Sequence, residues 1–512
     1  MNSSRQIKFG ALISYFAIAF NIAAGLIYTP WMITKIGQGN YGLYTIATSL
    51  ITLFIIDFGM SAAVSRFLSI YNAKGEQKKA NDFMGIVYKM YLVVDVAITV
   101  ALVIAYFFID KIYVNLTADE ITVLKSLYII VAVYNVISFP FITLNGVLNA
   151  YEKFVQLKIC DLFYKVSIII MVVIALLCGA GVEALVIANA LGGLFTIAIK
   201  FVVIRRSTPL RANLKYFDKS VLNDIFGFSI WTTVSSLAQR LIFNITPTII
   251  AAFSATGSIG TAVFGLASTI EGYVYTFSSA INGMFMPRIS RIVVSGKKDE
   301  ELTPLMIKIG RLQIMIVGII TVGFIALGKS FIVDIWHKAD FTESYICAVL
   351  LILPSLFYLP LQIANTTLIV ENKVKLQAFV FVGMGIINIA FSIPLSKYYG
   401  AIGASLAIFI AYSVRNVLMI LIYDSVGKRR LNMKKFFKET YLKLMPQLIL
   451  SCVIGWLAVR YNPVSNVYLN FIINGIVLVG TYLLIMILCG FNDYEKSLFM
   501  SVVQKLKQGK LR

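Results

Sequence analysis

The sequence is poor in charge and in the residues that most often build catalytic and metal sites. Only 13% of its 512 residues are charged, against about 25% in a typical soluble domain. The single histidine, His337, excludes a histidine triad, an HExxH zinc site and a histidine metal cluster. No Walker loop is present, because Ser-Gly-Lys297 lacks the upstream glycine. We therefore exclude an ATP-driven pump and predict neither a metal nor a cofactor.

The sequence also has no cysteine motif and no pattern of a cleavable signal peptide. The five cysteines lie in or beside apolar runs without CxxC or metal-ligand spacing, so we interpret them as small apolar side chains. Near the amino terminus, Arg5 and Lys8 precede an uncharged run over 9–34. That run is too long for the apolar region of a signal peptide, which predicts a first membrane span.

What the sequence does contain is long apolar runs, and 59% of its residues are hydrophobic. A helix needs about 20 apolar residues to cross a membrane. By this measure we predict an all-α polytopic membrane protein of about fourteen transmembrane helices, with loops too short for a soluble domain. The predicted spans are 9–34, 42–70, 84–109, 121–150, 158–180, 183–204, 223–253, 260–292, 305–328, 344–370, 376–396, 402–424, 444–461 and 466–490.

The formal net charge of +21 comes from loops between spans and not from a basic domain. We therefore predict no nucleic-acid partner. Most of the 45 Lys and Arg residues fall in alternate loops, on the side that carries the amino terminus. The positive-inside rule then predicts that both termini lie in the cytoplasm.

Short motifs of the first half recur in the second half. The segment that ends at Arg66 resembles the one that ends at Arg291, and similar pairs follow spans four and ten and precede spans six and twelve. Because six spans separate the copies, both halves enter the membrane from the same side, with a substrate site expected between them. The predicted domains are two six-helix bundles (1–206 and 207–427), an extra pair of spans (428–490) and a basic amphipathic tail (491–512).

Three acids in apolar helices are candidates for a cavity or for coupling to protons or sodium ions. Charged side chains at membrane depth are costly and usually face a cavity. Asp57 and Asp95 lie near the middle of spans two and three, and Glu271 lies in span eight. Structural alternatives remain open: Asp57 stabilises a bend near Gly59, or Glu271 pairs with Arg240 as a tie between helices.

Four arginines are candidates for binding an anionic substrate. Arg240 lies inside span seven and Arg415 inside span twelve, whereas Arg66 and Arg291 end spans at the predicted cytoplasmic face. The guanidinium group suits phosphate oxygens, because it is planar and offers paired donors. For Arg66 and Arg291, anchoring of the helix end at the membrane surface is the alternative interpretation.

Four motifs together resemble the polysaccharide transporter branch of the multidrug/oligosaccharidyl-lipid/polysaccharide exporter superfamily, and within it the Wzx-type flippases. They are Asp-Phe-Gly-Met-Ser-Ala-Ala-Val-Ser-Arg (57–66), Asn-Gly-Val-Leu-Asn-Ala-Tyr-Glu-Lys-Phe (145–154), Met-Pro-Arg-Ile-Ser-Arg (286–291) and Tyr-Gly-Ala-Ile-Gly-Ala-Ser-Leu (399–406). The resemblance covers spans one to twelve.

This resemblance implies a flippase that moves a polyprenyl-pyrophosphate-linked oligosaccharide across the bacterial cytoplasmic membrane by alternating access, for O-antigen, lipopolysaccharide or capsule synthesis. Membrane lipid and a polysaccharide polymerase or glycosyltransferase complex are the implied partners. A multidrug exporter of the same superfamily is one alternative, although span 9–34 lacks the acid typical of that group. A membrane glycosyltransferase or polymerase and a non-transporting scaffold of a glycan assembly complex are the others.

Overall fold

Long apolar segments in lipid must satisfy their backbone hydrogen bonds internally, and helices do so within one segment. The structure, a computed structural model, describes residues 3–54, 60–283, 298–336, 338–371, 373–425 and 431–497, with Ile289, Ile292 and Met500. Within these residues every regular element is helical. The predicted all-α fold is therefore confirmed.

The first eleven helices are α1 Ser3–Ile36, α2 Gln38–Phe54, α3 Met60–Ala73, α4 Gln77–Ile112, α5 Ala118–Ser138, α6 Leu144–Ala150, α7 Phe154–Leu177, α8 Val182–Ser207, α9 Lys219–Phe243, α10 Thr246–Phe253 and α11 Gly257–Gly283. A single 3₁₀ turn, Phe139–Phe141, joins α5 to the loop before α6.

The later helices are α12 Lys298–Ser330, α13 Thr342–Ile352, α14 Ser355–Tyr358, α15 Gln362–Val370, α16 Val374–Ser425, α17 Met433–Glu439, α18 Tyr441–Tyr461 and α19 Val467–Ile485. A 3₁₀ turn, Ala339–Phe341, precedes α13, and π-helical turns follow α12 (Phe331–Ile335) and α19 (Met486–Gly490).

Ten helical segments among the described residues are long and apolar enough to cross a membrane. One of them lies within α16, whose backbone leaves the helical conformation at Gly400, with φ 56° and ψ −134°. The 52 residues of α16 would extend about 78 Å as one straight helix, whereas the hydrocarbon core is about 30 Å thick. They therefore form two helices that meet at Gly400. The full count of fourteen spans stays a prediction.

The chain divides into two compact units. Unit 1 comprises residues 1–269 and 374–415. In this unit α7 packs on α1 and α8, α5 packs on α2 and α8, and α3 packs on α6. A buried apolar cluster that includes Phe83, Tyr91 and Phe139 fills the space between α4 and the chain around α6.

Unit 2 comprises residues 270–373 and 416–512, and α12 packs there on α18 and α19. Among its described residues the most buried charged group is Arg311, of which 2% is exposed. The guanidinium donates to both carboxylate oxygens of Glu495, at 2.6 and 2.8 Å, and to the carbonyl oxygens of Glu439 (2.7 Å) and Gly490 (2.5 Å). Arg311 thus binds the ends of two helical segments and the start of the tail to α12.

The tail begins with a reciprocal pair of hydrogen bonds. The backbone N–H of Glu495 donates to Asn492 Oδ1, and the N–H of Asn492 donates to a carboxylate oxygen of Glu495, both at 2.9 Å. Lys308 lies 3.6 Å from the centre of the Tyr494 ring. The described start of the predicted amphipathic tail is therefore held on α12 by Arg311 and Lys308, and the tail after Ser497 lies, apart from Met500, outside the described residues.

Candidate functional site

A buried lysine links three helices of unit 1. Lys200 on α8 lies 2.9 Å from a carboxylate oxygen of Asp161 on α7 and 2.9 Å from Oδ1 of Asn145 on α6. Only 11% of the lysine side chain is exposed. A buried ammonium group needs such a partner, because an unpaired one would lose several kcal/mol of solvation. The pair is a structural tie that positions α7 beside α8.

Another lysine, Lys165, is on α7 itself, one turn beyond Asp161. Lys165 is eleven residues after Phe154, the first residue of the helix, or about 17 Å along it. Its side chain is exposed, and its ammonium lies 5.8 Å from the centre of the neighbouring Tyr164 ring. A lysine at that depth requires water or a polar partner. Lys165 therefore indicates a wet surface on α7.

Sequence reasoning missed both lysines, because it counted them with the cytoplasmic loops. The signal was present in the sequence, since Lys165 falls within the predicted span 158–180 and Lys200 within 183–204. The structure includes both residues in helices apolar enough to span a membrane.

Arg240, the leading predicted arginine, is half-buried on α9. Its Nη1 donates to the carbonyl oxygen of Thr52 on α2 at 2.8 Å, which fixes the guanidinium between two helices of unit 1. The predicted partner Glu271 belongs to unit 2 and accepts a hydrogen bond from the hydroxyl of Tyr358 at 3.2 Å. The Arg240–Glu271 pair stays a prediction.

The other predicted arginines differ in exposure. Arg415 is 5% exposed, and its guanidinium carbon lies 5.1 Å from the centre of the Phe381 ring. This stacking stabilises a buried cation. Arg66 on α3 is exposed, and its role as an anchor or a substrate contact stays a prediction. Arg291 and the predicted acid Asp57 lie outside the described residues.

Asp95 is a buried acid on α4, and 8% of it is exposed. Its Oδ1 makes no hydrogen bond with the described residues, and neither do the two amide atoms of Asn135 on α5. The two helices are antiparallel neighbours, since Lys125 pairs with Asp110 and the Tyr128 hydroxyl donates to the carbonyl of Leu102. This register brings Asp95 and Asn135 to the same level. Unsatisfied buried polar groups are rare and call for a functional explanation.

Ends of several helices of unit 1 meet in a tight contact, which we call the 42–258 contact. A Cβ added to Gly42 on α2 would lie 1.9 Å from the carbonyl oxygen of Ser258 on α11. Ser258 also donates to the carboxylate of Glu120 on α5. Beside it, Asn115 donates to the carbonyl of Ala252 at 2.6 Å. Only a glycine at position 42 lets α2 approach the backbone of Ser258 so closely, because any Cβ there would overlap it.

A polysaccharide biosynthesis protein family model matches residues 10–293, which is more than half of the chain. The chain belongs to the polysaccharide biosynthesis protein family. The matched region of this polysaccharide biosynthesis protein includes Asp95, Lys165, Arg240 and the 42–258 contact. Arg415 lies beyond it.

Relatives of this polysaccharide biosynthesis protein agree on a membrane fold. An uncharacterized membrane protein of Methanocaldococcus jannaschii is 23% identical over 402 residues, which cover 75% of this chain and 91% of that protein. A structure of the lipid II flippase MurJ in an inward closed conformation superimposes with a TM-score of 0.70 at 17% identity, over 93% of this chain and 98% of that one. An inward-facing multidrug resistance transporter of the MATE family, in the MOP superfamily, gives 0.65 at 13% identity, over 80% and 96%. At these identities the structures show a shared fold.

Proposed function

We propose that this protein is a flippase that moves a polyprenyl-pyrophosphate-linked oligosaccharide from the inner to the outer leaflet of the bacterial cytoplasmic membrane, for surface polysaccharide synthesis. The observation that carries the proposal is that unit 1 holds two cations within its apolar helices, Lys165 on α7 and Arg240 on α9. A pyrophosphate group needs cations, which both side chains supply, and the guanidinium of Arg240 is held in place by its hydrogen bond to Thr52. Family membership and the transporter fold support the same function.

The 42–258 contact suits alternating access. The distribution of Lys and Arg assigns the ends of α2, α5, α10 and α11 that meet there to the outer side of the membrane, with both termini in the cytoplasm. In that orientation the contact closes the outer side while the substrate loads from the inside. It must separate in each cycle, so we assign it the role of an outer gate.

Replacing Arg240 with alanine is expected to remove the surface glycan while the protein stays in the membrane at its normal level. The reason is that the fixed guanidinium is lost where the pyrophosphate binds. Lys165→Met should act in the same way. The measurement is complementation of a deletion strain, scored by glycan display and by accumulation of lipid-linked oligosaccharide in the inner leaflet.

The matched control is Arg460→Ala, because Arg460 is exposed at the end of α18 and stacks on Trp456 at 5.2 Å. Its removal should leave glycan display intact. Unchanged display in both Arg240→Ala and Lys165→Met would refute the role of these cations. Unchanged glycan in the deletion strain with increased drug susceptibility would favour a multidrug exporter instead.

We assign coupling to protons or sodium ions to the acids Asp95 and Glu271. Glu271 is 6% exposed and its described hydrogen bond comes from a neutral hydroxyl, that of Tyr358. Glu271→Gln keeps an acceptor for this hydroxyl but cannot exchange a proton. We expect flipping in proteoliposomes to become insensitive to an imposed pH or sodium gradient, with Tyr358→Phe as the control that keeps the acid. An unaltered gradient response in Glu271→Gln would exclude this acid.

A further inference from the structure

A cleft of about 550 Å³ opens on unit 1, and its lining residues include none of the cations and acids described above. Its apolar walls come from α4, α6, the end of α8 and the turn before α6. Its remaining side is the segment Thr208–Asp218 that joins α8 to α9. The volume is within the range of ordinary ligand pockets. The lining residues that matter below are Leu92, Leu144, Phe201, Arg205, Arg211 and Ala212.

The segment over the cleft is fixed in place by α4. The amide of Asn213 donates to Asp82 at 2.6 Å, and the side chain of Asn81 accepts from the backbone N–H of Arg211 at 2.8 Å. A Cβ on Gly85 would lie 1.8 Å from the carbonyl oxygen of Asn213, so the close approach depends on glycine. The cleft is therefore a built feature of the fold.

Two guanidinium groups lie at the cleft. Arg211 donates to the carbonyl oxygens of Thr208 (3.2 Å), Leu210 (2.6 Å) and Arg205 (3.1 Å). These bonds use three of its five N–H donors and immobilise the group, which lowers the entropy lost when an anion binds. The Arg205 guanidinium lies over the Phe201 ring at 5.7 Å. The cleft thus combines an apolar interior with a cationic edge.

The same segment carries apolar side chains at the surface. Leu214 is 55% exposed and Phe217 is 62% exposed, while Lys89 donates to the carbonyl oxygen of Tyr216 at 3.1 Å. Exposed aromatic side chains next to lysines and arginines are typical of the boundary between hydrocarbon and headgroups. The cationic edge is therefore at the depth of lipid phosphates, and the apolar walls face acyl chains.

We propose that this cleft binds one anionic phospholipid of the bilayer, with an acyl chain between α4 and α8 and its phosphate on Arg205 and Arg211. Charge complementarity selects the headgroup, and the apolar walls accept the chain. The bound lipid joins the end of α8 to the segment that leads into α9. This site is separate from the transported substrate and does not depend on the proposed flippase activity.

The test is native mass spectrometry of the full chain in detergent with added phosphatidylglycerol or phosphatidylcholine. We expect a tightly retained phosphatidylglycerol, and about tenfold weaker retention in the double variant Arg205→Gln/Arg211→Gln, since two charge-assisted bonds are lost. Ala212→Phe should also weaken retention by filling the cleft. Arg206→Gln is the control for charge at the end of α8, because it removes one positive charge next to Arg205 from an exposed residue that does not line the cleft.

Equal retention of the two lipids, or an equal loss in Arg206→Gln and the double variant, would show ordinary annular lipid and overturn the proposal. Displacement of phosphatidylglycerol by equimolar polyprenyl phosphate would also overturn it, because the cleft would then belong to the substrate path. Thermal unfolding of the double variant without lipid, matched to the wild type, excludes a folding defect as the cause of weaker retention.

Discussion

Arg311→Met is expected to lower the free energy of unfolding by about 3–5 kcal/mol, the cost of breaking a buried ion pair by removing one partner. The variant leaves the Glu495 carboxylate, 7% exposed, without its cation. It also removes the donor to the carbonyl oxygens of Glu439 and Gly490. The measurement is thermal and denaturant unfolding of the purified protein in detergent.

A double variant separates the charge from the packing. Arg311→Met/Glu495→Leu removes both charges and should recover a large part of the lost stability, because no unpaired ion is left buried. Lys79→Met is the control, since Lys79 forms its ion pair with Glu76 at the surface with 64% of the side chain exposed, and its loss should leave unfolding unchanged. If the double variant were no more stable than Arg311→Met, the buried charge would not be the cause.

Gly42→Val is expected to abolish surface glycan, because the outer gate that we assign to the 42–258 contact can no longer close. The new Cβ would meet the Ser258 backbone at 1.9 Å, far inside van der Waals contact, so α2 and α11 must separate. Gly480→Val is the matched control, since a Cβ at Gly480 has no neighbour within 4 Å. Glycan display by complementation measures the effect.

Thiol labelling tests the gate directly. In a variant whose five native cysteines are replaced by alanine, Thr248→Cys introduces a thiol beside the contact, where the Tyr113 hydroxyl lies 3.3 Å from the Thr248 hydroxyl. A membrane-impermeant reagent added outside should label this thiol several-fold faster with Gly42→Val and at the original rate with Gly480→Val. Full glycan display together with unchanged labelling in Gly42→Val would contradict a gate at this contact.

Hydropathy was enough to predict the class of the fold, because a helix in lipid leaves a local signal of about 20 apolar residues. The break between spans eleven and twelve was also predicted, and Gly400 provides it. The charged residues of the predicted site were also visible locally, because each interrupts an apolar run. Their partners were not, since Arg240 meets the carbonyl oxygen of Thr52 only when α9 and α2 pack together.

The longest-range contacts were out of reach for the same reason. The sequence marks Gly42 and Ser258 as ordinary small residues, and only the approach of α2 to α11 gives them a role. The charge pattern of the tail predicts a membrane-surface helix, but it does not show that Glu495 accepts from Arg311 on α12. Such pairings depend on tertiary packing, which no local pattern encodes.

The Arg311–Glu495 pair also constrains how the chain is made. The two residues are 184 positions apart, so at about 5–20 residues per second the ribosome needs roughly 9–37 s to supply the acid after the arginine. During that interval α12 enters the membrane with an uncompensated guanidinium. This contact of unit 2 therefore forms only after that interval, later than the contacts that α12 makes with α18 and α19.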